Sequence, residues 1–146
     1  MDTSIKEAPE YYRCASEDEL FLLGERLASR LTPQTTVLLK GTLGAGKTLL
    51  VRGMMSYFGV SPGMVASPSF AIVHDYPASI PIKHLDLYRI TDLDSWYQLG
   101  IEEELGRALL LIEWPQLIEA EIPSPKVEIS ITIEADNARK VAVVWS

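Results

Sequence analysis

Cysteine, asparagine, histidine and positive charge are all scarce in this chain, and each scarcity excludes something. Cys14 is the single cysteine, so no internal disulfide can form. That fits a reducing compartment, and Cys14 reads as a small apolar filler. Two histidines and one cysteine leave no cluster for structural zinc. Asn137 is the sole asparagine and no lysine follows it, so the N-K-x-D signature of a guanine-specific switch protein is missing. No apolar run approaches the roughly 20 residues needed to cross a bilayer. The N-terminus is polar, with Glu7, Pro9 and Glu10, and carries no secretory pattern. These features predict a soluble, cytoplasmic protein without membrane contact. Lys and Arg number 13 against 20 acidic residues, a net charge of -7, and the basic residues are dispersed. A broad nucleic-acid-binding face needs clustered Lys and Arg, so any role on nucleic acid is local or delegated to a partner.

What is present is enough for one compact domain over residues 1–146, with residues 1–9 as a tail. The chain is 47 % hydrophobic, which supplies a real core. Ser16-Glu17-Asp18-Glu19 has the form of a capping box. Leu20, Leu23, Leu27 and Leu31 repeat at helical spacing, so residues 17–31 read as an amphipathic helix ended by Pro33. Short β-rich runs recur at Tyr11–Cys14, Thr36–Lys40, Phe70–Tyr76, Ile82–Leu87 and Leu109–Ile112. Asp94 is the expected cap of a short helix through Leu99. Val127–Ile133 and Lys140–Trp145 alternate around Ala135-Asp136-Asn137, as a closing hairpin does. The fold class expected is α/β, a mixed central sheet flanked by helices with an antiparallel C-terminal hairpin.

Gly41-Thr42-Leu43-Gly44-Ala45-Gly46-Lys47-Thr48 carries the chemistry. It reads G-x-x-x-x-G-K-[ST], the phosphate-binding loop (P-loop) of nucleotide hydrolases and kinases. Glycines let the backbone turn its N–H groups inward as a nest for phosphate oxygens, and the following helix adds its positive N-terminal end. Lys47 brings a full positive charge to the β- and γ-phosphates, and Thr48 a hydroxyl for Mg²⁺. The β-branched run before the loop and the helical stretch Leu49–Phe58 after it give the strand–loop–helix order the motif requires. Hydrolysis also needs an acid at a strand end for the metal. Asp86, closing Ile82–Asp86, and Glu113, closing Leu109–Glu113, both have that form, and ligands in open α/β sheets bind at this edge. Trp114 follows Glu113 and either stacks near a base or packs into the core. Ser69 lies where a switch loop would present a hydroxyl. His84 reads as a strand residue rather than a base, and His74 carries no signal.

G-T-L-G-A-G-K-T, S-P-S-F, H-L-D-L-Y-R and I-E-W-P, in this order and spacing, resemble the bacterial tRNA threonylcarbamoyladenosine biosynthesis ATPases, the TsaE (YjeE) family. The likeness runs from about Leu23-Gly24-Glu25-Arg26 to the final hairpin. It implies a P-loop ATPase that binds and hydrolyses Mg-ATP. The partners it implies are TsaB and TsaD, with tRNA reached only indirectly through that complex, where threonylcarbamoyl is installed on the adenosine 3′ of the anticodon. It further implies catalytic roles for Lys47, Asp86 and Glu113, and metal ligation by Thr48 and Glu113. Nucleotide contacts are implied for Thr42, Leu43, Gly44, Ala45, Gly46, Lys47, Thr48, Ser69 and Trp114, with the adenine near Ser16 and Glu17. Departures from the family pattern are Thr42 in place of Asp, Leu49 in place of a second Thr, and Ser69 in place of Thr. Two other classes share the cradle. A small-molecule kinase would need an acceptor site and usually an arginine-bearing lid, for which this chain has little length. A nucleotide-gated interaction module would bind without appreciable turnover.

Overall fold

The computed structural model describes residues 7–42, 44–65 and 73–146. Seven strands form one sheet: β1 (Glu10–Cys14), β2 (Thr36–Lys40), β3 (Val73–Asp75), β4 (Ile82–Asp86), β5 (Leu109–Glu113), β6 (Lys126–Ile133) and β7 (Arg139–Trp145). Their spatial order is β1-β7-β6-β2-β5-β4-β3. The centre is parallel, with β2 paired to both β5 and β6, and β5 to β4. Both edges are antiparallel, through β6–β7–β1 on one side and β3–β4 on the other. The predicted mixed sheet and closing hairpin are both present.

Alternation along the strands divides the core in two. Val37 and Leu39 of β2 and Leu109 and Leu111 of β5 face α1 (Glu17–Ala28) and α2 (Lys47–Tyr57). Leu38, Leu110 and Ile112 face the other way, onto Leu85, Trp96 and Ile118. Trp96 belongs to α3 (Leu93–Gln98). Central parallel strands are covered on both faces, which is why β5 is an unbroken buried run of Leu, Leu, Leu, Ile and Glu.

Helix ends follow local chemistry. The Ser16 side chain accepts from the Glu19 N–H at 3.2 Å, and the Glu19 carboxylate reaches back to the Ala15 N–H at 2.5 Å. The capping box therefore forms with its return bond one residue earlier than Ser16. α1 closes at Ala28, short of Leu31, which still packs in the core. The cap of α3 is Asp92, whose carboxylate accepts from the Ser95 N–H at 2.8 Å. Asp94 instead sits in the first turn, so the expected cap lies two residues late. At the other end of the chain, the Glu7 N–H donates to the Trp145 carbonyl at 2.9 Å.

α1 and α2 approach closely because Gly24 and Gly53 meet between them. A Cβ on Gly53 would lie 2.0 Å from the Phe21 carbonyl oxygen. One on Gly24 would lie 2.4 Å from that of Leu50. This contact brings the N-terminal ends of α1 and α2 to the same edge of the sheet. No helix among the described residues is long and apolar enough to cross a membrane.

Candidate phosphate-binding site

β2 ends at Lys40 and α2 begins at Lys47, so the glycine loop spans the carboxyl edge of the sheet. Gly44 and Gly46 have φ of 79° and 114°. Those angles belong to the region that residues with a Cβ rarely enter. At Gly46 a Cβ would also strike Leu20 Cδ2 at 2.5 Å. Gly46 is the N-cap of α2 and has no side chain with which to cap the N–H groups there. A helix start of this kind attracts an anion.

Lys47 is only 6 % exposed. Its Nζ donates to the Gly41 carbonyl at 2.5 Å and lies 3.5 Å from the centre of the Trp114 ring. Burial pulls the Lys47 ammonium below its ordinary pKa, opposed by the charges of Glu113 and Asp86. Trp114 holds φ at +58°, a conformation costing about 1–2 kcal/mol for a residue with a Cβ. Its N–H donates to the Leu39 carbonyl at 3.3 Å, and its ring meets Tyr88 at 5.0 Å. The turn therefore throws the indole over the loop lysine instead of into the core.

Both expected acids arrive beside the loop. Asp86 and Glu113 are opposite each other in the β4–β5 register, and Leu39 is opposite Glu113 in β2–β5. Glu113 is buried at 3 % exposure. Its carboxylate lies 2.5 Å from Nε2 of His84, which is fully buried. Asp86 accepts from the Tyr88 N–H at 2.8 Å. Burial raises the Asp86 carboxyl above its ordinary range; the Tyr88 bond opposes this, and the Glu113 charge adds to it.

A cavity of about 480 Å³ joins these parts. Its lining includes Lys47, Thr48, Asp86, Glu113 and Trp114. Ser16 and Glu17 at the start of α1 line it as well. Thr42 is exposed at the mouth of the loop, and Ala45 is buried beneath it. Leu43, Ser69 and the Ser67–Phe70 loop lie outside the described residues.

Two contributors escaped the sequence reading. Arg139 donates from Nε to the Ala45 carbonyl at 2.8 Å and from Nη2 to that of Gly44 at 3.4 Å. Its Nη1 bonds the Asn137 carbonyl at 2.5 Å. The closing hairpin thus braces the glycine loop. The available signal was parity, because Arg139 shares its face with buried Val141 and Val143. His84 is a strand residue as expected, and its bond to Glu113 is the other contribution, made from the same face as buried Ile82. Arg89 is exposed.

Residues 14–141 match the family model described as threonylcarbamoyl adenosine biosynthesis protein TsaE. The tRNA threonylcarbamoyladenosine biosynthesis protein TsaE of Rickettsia conorii is 38 % identical over 130 residues, covering 88 % of this chain and 74 % of that protein. The protein of the same name from Bacillus subtilis is 31 % identical over 132 residues, covering 89 % and 82 %. The crystal structure of Bacillus subtilis YdiB superposes with a TM-score of 0.75 at 25 % identity, over 98 % of this chain and 88 % of that one.

Proposed function

The chain belongs to the TsaE family of threonylcarbamoyladenosine biosynthesis proteins, and on that premise we propose that it binds and hydrolyses Mg-ATP in support of tRNA threonylcarbamoylation. The reading includes work alongside TsaB and TsaD, with tRNA engaged through that assembly. The observation that carries it is convergence. A glycine loop, its lysine, a hydroxyl and two strand-end carboxylates border one cavity of about 480 Å³, which Ser16 and Glu17 also line.

The donor set suits magnesium. Thr48, Asp86 and Glu113 offer oxygens only. Among the described residues no three His, Cys, Asp or Glu side chains form a metal cage by themselves. Magnesium typically takes one or two protein carboxylates and completes its shell with waters and phosphate oxygens. When bound it neutralises charge developing on the transferred phosphoryl group. The chain's own part is positional. The loop N–H groups orient the phosphates, and Lys47 leaves Gly41 and Trp114 to meet them. Glu113 and Thr48 hold the cation side, and Asp86 stands beside it to orient water. Trp114 shields the phosphates from bulk solvent, and Ser16 and Glu17 border the base end.

Phosphate release from ATP, measured with and without added TsaB and TsaD, tests the reading. Release should rise when the pair is present. Lys47→Ala should weaken ATP binding by about 10- to 100-fold, the loss of one charge-assisted bond. Undiminished affinity in Lys47→Ala would remove the phosphate-loop assignment. Tight binding without release under any condition would replace hydrolysis by nucleotide-gated binding.

A further inference from the structure

His84 and Glu113 form a buried polar pair that nothing in the loop motif requires. They sit on adjacent parallel strands and face the same side of the sheet as α1 and α2. Asp86 is opposite Glu113, so His84 is its diagonal neighbour two residues back. Long side chains reach across that diagonal, and here they close to 2.5 Å between Nε2 and Oε2. A carboxylate can only accept, which assigns the proton of this bond to Nε2. On the other side of the ring, the Tyr76 hydroxyl lies 3.4 Å from Nδ1. The Tyr76 and His84 rings pack with centres 6.2 Å apart. The imidazole is therefore held from both sides, and no exposure remains to let it rotate. The Glu113 carboxylate also borders the phosphate cavity.

We infer that His84 is a positioning residue: its Nε2–H ties down one oxygen of Glu113 so that the other is presented to the nucleotide-bound cation, with Tyr76 bracing the ring. The inference rests on the proposed role of Glu113 at the metal. Buried partners of metal ligands act this way in general, and their loss typically costs about 10- to 100-fold in metal affinity.

Calorimetry of ADP binding to the full chain, in magnesium and in EDTA, tests it. The readout is the ratio of the two dissociation constants. His84→Leu removes the donor, and His84→Gln keeps an N–H at the same distance along the side chain. His84→Leu should shrink the magnesium enhancement about tenfold while leaving the EDTA affinity unchanged, and His84→Gln should restore it. In Glu113→Gln the enhancement should also be lost, and adding His84→Leu to it should cost nothing more. Should His84→Leu not fold, His84→Asn, too short to reach Glu113, takes its place against His84→Gln. Full enhancement in the donor-less variant, equal loss in both variants, or additivity with Glu113→Gln would overturn the inference. Full enhancement in Glu113→Gln itself would instead overturn the role of Glu113.

Discussion

Gly53→Ala sets two physical effects against each other, and the structure decides the sign. Gly53 is in the interior of α2, where helix propensity alone favours alanine by about 1 kcal/mol. The new Cβ, however, would lie 2.0 Å from the Phe21 carbonyl oxygen and 3.2 Å from Gly24 Cα. The first distance is about 1.4 Å short of ordinary contact. The opposing atom is backbone, so no rotamer change relieves it, and the helices must part. Parting loosens the seam where Leu20, Leu23 and Leu27 meet Leu50 and Met54. Overpacking of this kind costs about 1–3 kcal/mol, occasionally more. An immovable carbonyl puts Gly53 at the upper end, so the net loss after propensity is about 2 kcal/mol. For a domain of this size that is a fall of roughly 4–8 °C in melting temperature. Because residues of both α1 and α2 line the cavity, ADP affinity should fall as well. Gly63→Ala is the control: nothing lies within 4 Å of its Cβ and its φ is ordinary, so it should be neutral or slightly stabilising. Far-ultraviolet circular dichroism melts of both variants give the answer. A melting temperature in Gly53→Ala equal to or above the parent's would refute the packing argument.

Other perturbations separate the remaining parts. Arg139→Met should weaken ADP binding about tenfold without unfolding the hairpin, since the guanidinium braces the Gly44 and Ala45 carbonyls; calorimetry beside a melt checks it, and unchanged affinity would mean the loop holds its shape alone. Asp86→Asn should melt higher than the parent at pH 7. A carboxyl whose pKa is raised by folding gives stability fully present below its ordinary value of 3.8 and lost as pH rises through the raised value, so its charge is a cost at neutral pH. The advantage should shrink as pH falls toward 3.8, while magnesium-dependent phosphate release drops; a lower melting temperature at pH 7 would contradict the burial argument. Nucleotide binding should draw the Lys47 ammonium off the Trp114 ring, a contact of about 0.5–2 kcal/mol, and change indole emission. Trp114→Leu should abolish that change although two other tryptophans remain.

Legibility followed the range over which each feature is encoded. The glycine loop is eight consecutive residues, so its strand, turn and helix were all readable, and so was the Ser16–Glu19 cap. Asp86 and Glu113 were visible as acids at the ends of apolar runs. That they stand opposite one another was not, because register between β4 and β5 is set by packing of whole strands. By residue type Asp92 and Asp94 are equally able to cap α3. The folded backbone selects Asp92, which is extended there and whose carboxylate accepts from the Ser95 N–H.

By itself the sequence determined the α/β class, the phosphate cradle and the identity of the charged groups around it. Each of these rests on neighbours in the chain, or on a periodicity that one strand or helix carries alone. Tertiary structure decided which buried groups answer one another: His84 to Glu113, Arg139 to the loop carbonyls, Gly24 to Gly53, and Lys47 to Trp114. These pairs join elements separated in the chain. A buried hydrogen bond, a brace or a close helix contact exists only once packing has fixed the distance between its two halves.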